Sequence, residues 1–281
     1  MLKIQSSHEP VHVAATAPND TCSLVLSNKW INDDYKHLVL KASDAACHAQ
    51  PGQFFNLLCP TYANAAPFFR RPMSTYKATP DTGEVEFLYK VAGTGTAALS
   101  RLQAGEWLDM LGPLGKGFEL HPSWQRIIIV ARGVGLATLA PLAEAAHALN
   151  IKMTVVLSAR SRQALLQPSQ QRFAALGAQV MTALDDEGTS QLSTIEHTLH
   201  SVMAQQPADA MFTCGSKRLT SLLKRLTATY GIRGQTAMEE QMACGLGMCQ
   251  CCAKVFEQEG NLISKRVCVD GPVFDLAEIV A

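Results

Sequence analysis

The sequence predicts a multidomain fold of mixed α+β and α/β type: an N-terminal β-barrel, a doubly wound parallel sheet, and a small C-terminal module. Three observations predict it. Over residues 20–121, short β-like runs (TCSLVLSN, HLVLKA, FFNLLC, EVEFLYKV, EWLDMLG) are divided by turn signals such as QPGQ, TPDTGE and AGTG. Many short strands with regular turns read as a small barrel. Over residues 122–235, strand runs alternate with helical stretches, the pattern of a parallel sheet covered by helices. Residues 236–281 are rich in glycine and cysteine and follow neither period.

Each region can be taken in order. Residues 1–19 form a polar lead-in. In the second region Ile127–Val130 is a buried-strand run, followed by a glycine turn and an Ala/Leu-rich helix to about Leu149. Met153–Leu157 makes the next strand, and a helical stretch crosses Gln163 to Leu176. Further strands are expected near Gln179–Ala183 and Ala210–Thr213.

The chain has 281 residues, enough for two compact domains and a small appendage. Its 24 Lys and Arg balance 24 Asp and Glu, so charge gives no reason to expect nucleic acid or an acidic membrane as partner. No apolar stretch approaches the roughly 18 residues of a membrane span. The N-terminus lacks an apolar block of signal-peptide length, and a cytoplasmic protein is expected. Of nine cysteines, Cys22, Cys47, Cys59 and Cys214 are scattered, and the other five crowd the last segment. In a reducing compartment, such clustering suggests a metal site rather than cross-links.

That last segment carries the strongest motif. Cys244, Cys249, Cys252 and Cys268 give C-x4-C-x2-C and a distant fourth cysteine, the plant-type ferredoxin arrangement for a 2Fe–2S cluster. Gly245 and Gly247 let backbone amides turn toward the sulfides. The alternative is a four-cysteine zinc knuckle, which usually shows paired C-x2-C elements. Cys251 reads as a spare thiol, with substitution for Cys252 as the other possibility.

A second motif, Phe69-Arg70-Arg71-Pro72-Met73-Ser74-Thr75, places an arginine three residues before a serine at a strand end. A guanidinium there can neutralise a pyrophosphate, and the hydroxyl can reach a flavin ring. The plainer alternative is solvated charge at a surface turn. Lys90 through Thr96 forms a small-residue turn into a helix, where backbone amides can approach phosphate. The third motif is Gly133-Val134-Gly135 after the Ile127–Val130 strand, a pyrophosphate cradle without the third glycine of the full fingerprint. Thr213-Cys214-Gly215-Ser216 is another small-residue turn at a strand end. The histidines show no metal spacing, and no catalytic triad or carboxylate pair stands out; no catalytic residue is assigned.

These motifs, in this order, resemble the ferredoxin-reductase-type flavoproteins, and among them the electron-transfer subunits of bacterial type B dihydroorotate dehydrogenase. The resemblance runs from about Thr21 to the C-terminus. It is carried by Gln50–Phe54, Arg70–Ser74, Lys90–Thr96, Gly112–Phe118, Gly133–Ala137, Cys214-Gly215, Met242–Cys252 and Val267–Phe274. It implies a flavin-binding barrel over 20–121, a nicotinamide-binding domain over 122–235 and a 2Fe–2S module over 236–281. It further implies that Arg71, Pro72, Met73, Ser74, Lys90, Gly95 and Thr96 bind FAD, with Arg71 and Ser74 gripping it and Gly95 and Thr96 at its phosphates. Gly133, Gly135, Cys214 and Gly215 line the nicotinamide site. Cys244, Cys249, Cys252 and Cys268 hold the cluster. Two departures, Arg132 before Gly133 and Ser216-Lys217-Arg218 after Cys214-Gly215, both touch the nicotinamide site.

Chemically, a nicotinamide yields two electrons as hydride and a cluster takes one at a time, so a flavin belongs between them. The resemblance implies an FMN-containing catalytic subunit as partner, in a heterotetramer of pyrimidine biosynthesis, with this chain alone not oxidising dihydroorotate. The alternatives are the reductase component of another oxidoreductase or oxygenase, or a stand-alone diaphorase. NADH is the nicotinamide the resemblance favours. Locally, Ser158-Ala159-Arg160-Ser161-Arg162 ends the second α/β strand without a carboxylate, and arginines there can accept the 2′-phosphate of NADPH.

Overall fold

The structure is a computed structural model that describes residues 19–62 and 67–280. The expected lead-in, with His8 and His12, lies outside the described residues except for Asn19. The first region contains β1 (Asn19–Trp30), β2 (Tyr35–Lys41), α1 (Asp44–Cys47), β3 (Phe54–Leu57), β4 (Arg71–Ser74) and β5 (Lys77–Thr79). It continues with β6 (Glu84–Lys90), α2 (Thr94–Leu99) and β7 (Trp107–Leu114). Seven strands pair in the order β4-β3-β7-β1-β2-β6-β5. The two edge strands, β4 and β5, are joined only by Thr75-Tyr76, whose amides bond Gln53 O and Glu86 O at 3.1 and 2.9 Å. The sheet is thereby rolled into a barrel. Alternation explains its core: Leu38 and Leu40 of β2, Phe55 and Leu57 of β3, and Val85 and Phe87 of β6 all point inward and are fully buried.

The second region contains β8 (Arg126–Arg132), α3 (Gly135–Ala148), β9 (Lys152–Ala159), α4 (Gln167–Ala175), β10 (Gln179–Leu184), α5 (Leu192–Gln205), β11 (Ala210–Cys214), α6 (Lys217–Tyr230) and β12 (Arg233–Ala237). Two of these helices, α5 and α6, add to the elements expected from the sequence. Ile195, Leu199, Val202 and Met203 form the buried stripe of α5, and Leu219, Leu222, Leu223 and Leu226 that of α6. The sheet order is β10-β9-β8-β11-β12-β15, with β15 (Val273–Asp275) contributed by the C-terminal region. Every pair is parallel except β12 with β15. Because both faces are covered, β8 is apolar throughout. Ile127 and Ile129 face one core, and Ile128 and Val130 face the other.

The barrel and the sheet share a core, since Tyr35, Tyr76 and Leu88 of the barrel pack with Ile129, Leu136 and Val155. Arg172 of α4 adds a polar tie: its guanidinium lies 4.5 Å over the Tyr76 ring, donates to Tyr76 O at 3.1 Å and pairs with Glu144.

The C-terminal region, expected to be irregular, contains an antiparallel hairpin of β13 (Ala253–Gln258) and β14 (Asn261–Arg266), then α7 (Val267–Asp270) and β15. β12 runs to Ala237, past residue 235, and β15 returns to pair with it, so the region is laced into the sheet. Its core is shared as well: Phe256, Val267, Cys268 and Phe274 pack with Phe54 and Leu114 of the barrel. Among the described residues no helix is long and apolar enough to cross a membrane.

Candidate functional site

The order of strands reverses at β8, between β9 and β11, and open α/β sheets bind ligands at the carboxyl ends of such strands. The Gly133–Gly135 turn and Cys214-Gly215 sit at that place. Their glycines are needed for close approach. A Cβ on Gly135 would stand 2.5 Å from Cys214 O, and one on Gly215 would stand 2.2 Å from Arg132 O. The two backbones therefore interlock and bring α3 against the end of β11. The Gly133 amide is occupied by Ser158 O at 3.0 Å. Cys214 is buried, and burial pushes its thiol up to about 12, so it stays neutral.

In the barrel, the two consecutive arginines do different work. Arg70 makes a two-pronged pair with Asp109, both bonds 2.9 Å, and so ties the β4 end to β7. Arg71 points instead to the start of α2: a Cβ on Gly95 would lie 2.5 Å from its Nε and 2.8 Å from its Cζ. Arg71 also donates to Phe69 O. The Thr96 hydroxyl shapes the adjoining turn, accepting the Ala92 amide at 2.8 Å and donating to Gly93 O at 3.3 Å. Arg71, Gly95 and Thr96 thus come together, with a guanidinium beside the first amides of a helix. That arrangement suits a pyrophosphate.

A cleft of about 290 Å³ joins the regions. The barrel lines it with Phe54, Pro72, Met73, Ser74, Leu88 and Lys90, and the sheet domain with Val134, Ala137 and Thr138. Met238, Glu239, Glu240, Met242 and Pro272 line it from the C-terminal side. Lys90 is paired with Asp34 at 3.2 Å. Glu239 reaches solvent, yet crowding by surrounding protein raises its carboxyl above the usual range. Sequence reasoning missed Glu239 and Thr138 because neither belongs to a motif. The signal that can find Glu239 is its place at the end of a strand, just before the first clustered cysteine. A larger hollow, about 620 Å³, opens elsewhere on the barrel beside Cys22, Cys59 and Trp107 and contains none of the expected site residues.

The five clustered cysteines share one loop system. Among the described residues no three His, Cys, Asp or Glu side chains converge as a ready-made single-ion site. The thiols fall into two groups instead. Cys252 and Cys268 are buried and hydrogen-bonded to each other, with the Cys268 amide 3.4 Å from Cys252 Sγ. Cys249 is exposed and lies against Cys244 and Cys251. A buried pair and an exposed group of three suit two irons better than one ion. Backbone amides of Cys251 and Cys244, with the neighbouring thiols, bring Cys249 down to about 6, whereas burial pushes Cys268 up to about 12. Arg266 pins the loop, bonding Asp270 through its amide at 2.7 Å and Gly247 O at 3.4 Å.

One barrel residue reaches this loop. Asn56 of β3, fully buried, donates from Nδ2 to Cys244 O at 3.2 Å, while its Oδ1 has no partner among the described residues. Asn56 also sits opposite Pro72 in the barrel sheet, so one side chain stands between the expected flavin strand and the first cluster cysteine. Gly245 is left-handed at φ +72°, and a Cβ there would strike Asn56 Nδ2 at 2.2 Å.

At the carboxyl ends of β8, β9 and β10, Arg132 donates to Ser158 Oγ at 2.7 Å and makes a two-pronged pair with Asp185 at 3.1 and 2.7 Å. Hydrogen bonds from Arg132 and Ser190 hold the Asp185 carboxyl down to about 2. Arg162 is paired with Glu187 at 2.7 Å.

Known proteins share two of these regions. The family described as "Oxidoreductase FAD-binding domain" matches residues 23–118, and "Iron-sulfur cluster binding domain of dihydroorotate dehydrogenase B" matches residues 239–280. The chain is 30% identical over 256 residues to the "Dihydroorotate dehydrogenase B (NAD(+)), electron transfer subunit" of Desulforamulus reducens, covering 91% of this chain and 96% of that one. The protein of the same name from Bacillus caldolyticus is 32% identical over 260 residues, with the same coverages. Among solved structures, an NADH-dependent reduced ferredoxin–NADP oxidoreductase superposes with a TM-score of 0.74 at 24% identity, over 92% of this chain and 90% of that chain. A ferredoxin reductase of carbazole 1,9a-dioxygenase gives 0.61 at 16%, over 78% and 68%. These likenesses establish a ferredoxin-reductase-like fold.

Proposed function

The chain belongs to the family of dihydroorotate dehydrogenase B electron-transfer subunits, and from that premise we propose that it carries electrons between NAD(H) and an FMN-containing catalytic partner through FAD and a 2Fe–2S cluster. The observation that carries this reading is the cleft where barrel, α/β sheet and cysteine module meet. A donor, a two-step carrier and a one-electron acceptor must lie close together, and that cleft is the place where all three regions contribute walls. FAD, when bound, supplies the conversion between paired and single electrons.

The chain's own residues do the rest. Arg71 neutralises the pyrophosphate beside the amides of α2, and Ser74 offers a hydroxyl to the flavin ring. Thr138 and Glu239 can orient a nicotinamide from the cleft walls, and Lys90 lines the barrel side with Ser74. Phe54, Met242 and Pro272 give the cleft apolar wall, which limits water near the exchanging groups. Cys244, Cys249, Cys252 and Cys268 hold the cluster as thiolates. Asn56 holds the Cys244 carbonyl to the strand that pairs with the flavin-binding segment.

NADH is the proposed nicotinamide. Arg132 and Arg162, two arginines beyond the carboxyl ends of the strands, are each neutralised by a carboxylate, and Asp185, Asp186 and Glu187 would repel a 2′-phosphate. The partner is a flavin-containing subunit that performs the dihydroorotate chemistry in pyrimidine biosynthesis, assembled as a heterotetramer in the cytoplasm. The test is anaerobic purification of this chain alone and with that subunit. Flavin and cluster bands in the visible spectrum, NADH-driven dye reduction by the chain alone, and dihydroorotate-dependent NAD⁺ reduction only by the complex are expected. A colourless protein, or full dihydroorotate oxidation by the single chain, contradicts the proposal.

A further inference from the structure

Five thiols, not four, surround the cluster site, and the fifth stands on one side of it. Cys251 Sγ lies 3.5 Å from Cys249 Sγ. Two thiolates on one tetrahedral metal, at bonds of about 2.3 Å, lie about 3.8 Å apart. Cys249 and Cys251 are therefore already spaced as two ligands of one iron. Cys251 Sγ also accepts the Ala243 amide at 3.2 Å, the kind of backbone donor that supports a metal-bound thiolate.

Burial separates the two halves of the site. Cys252 and Cys268 are 2% and 1% exposed and face each other. Cys249 and Cys251 are both exposed and Cys244 is partly so. Sequence adjacency to Cys252 is thus misleading: the chain turns at Gln250, φ +61°, and Cys251 keeps company with Cys249.

We infer that Cys251 is a reserve ligand for the solvent-facing iron, able to take the position of Cys244 beside Cys249. The inference rests on the proposal that this loop holds a 2Fe–2S cluster. The exchange moves no electrons: the bond from iron to the Cys244 sulfur breaks and that thiolate takes up a proton, while the Cys251 thiol gives its proton to solvent and its sulfur forms the new iron bond.

The test compares anaerobically purified full-length chains, in complex with the catalytic subunit if one is needed for solubility. Iron, acid-labile sulfide and the visible circular dichroism of wild type, Cys244→Ala and Cys244→Ala/Cys251→Ala are measured. Alanine is chosen because a serine oxygen can itself ligate iron. Cys244→Ala is expected to keep about half or more of the wild-type iron with a shifted spectrum, and the double variant less than about a tenth. Equal loss in the single and double variants overturns the reserve ligand. Wild type without iron and sulfide overturns the cluster reading itself, so the two failures are distinct. If Cys244→Ala does not accumulate, Cys244→Gly against Cys244→Gly/Cys251→Ala makes the same comparison, because both keep Cys249, 3.5 Å from Cys251.

Discussion

The glycine turn after β8 and the cysteine loop after β12 are both bends that leave backbone free for a ligand, and they are supported in opposite ways. The turn rides on a six-stranded sheet with a packed core on each face, and its shape is completed by backbone interlocking of Gly135 with Gly215. The loop rides on a two-stranded hairpin whose aromatic core depends on Phe54 and Leu114 from the barrel. Short segments of about 45 residues seldom bury enough apolar surface to fold unaided, and a metal centre or a neighbour supplies the remainder. The difference separates a site preset by its scaffold from one that its ligand helps to build.

Removing the buried thiols probes that contrast most severely. Cys252→Ala and Cys268→Ala are expected to lose essentially all iron and sulfide, because nothing in their pair has a substitute, while the α/β sheet keeps its far-ultraviolet spectrum. Retention of the cluster in either variant breaks the comparison. Next in size is Phe274→Ala. Its ring is 4% exposed and stacks 4.2 Å from Phe256, and its loss costs about 3–5 kcal/mol. Iron release to a chelator should accelerate strongly, and should occur at lower urea than unfolding of the sheet. Coincident loss of both signals shows one cooperative body instead.

Arg71→Ala removes a charge-assisted contact worth about 1.5–3 kcal/mol, hence about tenfold to hundredfold weaker FAD binding. Arg70→Ala should lower the thermal midpoint with little change in FAD affinity, since its guanidinium is spent on Asp109. Equal flavin loss in both refutes the division of labour. Asn56→Ala forfeits the 3.2 Å bond to Cys244 O, about 1 kcal/mol, and should hasten cluster loss without altering flavin content.

The smallest effect is electrostatic. Asp185 is held below its ordinary carboxyl value, at about 2, so the Arg132 pair stabilises the fold above the unfolded pKa of about 4 and loses that contribution as pH falls through about 2. Arg132→Ala should therefore lower the melting temperature by an amount that stays constant between about pH 8 and about pH 5. The pair is partly exposed, so the shift is small. A difference that varies across that range points to another titrating group.

Much of this was legible from residues alone. Alternation exposed the barrel strands, the Ile127–Val130 run marked the central strand of the sheet, and cysteine spacing marked the cluster loop. What escaped depended on distant partners. The hairpin β13–β14 buries little besides Phe256, and its Val255 and Leu262 face solvent, so no clean alternation betrays it. Arg70 and Arg71 are chemically identical neighbours, and only the fold reveals that one meets Asp109 and the other Gly95. Arg132 read as an intrusion on a nucleotide turn, yet it is claimed by Asp185, 53 residues away. Asn56 gave no hint at all, because a polar residue inside FFNLL makes sense only once Cys244 lies beside it.

The return of β15 to the sheet has a practical corollary. Met238 N bonds Pro272 O at 2.9 Å, Lys116 N bonds Gly271 O at 2.5 Å, and β15 then pairs with β12, so Gly271-Pro272 is clasped by barrel and sheet together. A protein engineer who cuts at Ala237 and grafts the tail onto another reductase would keep the Met238 bond but leave behind Lys116 and the β12 edge. A working chimera must carry the 112–118 segment and the β12 edge along with the tail. Interchangeable parts, in this molecule, end where the wiring begins.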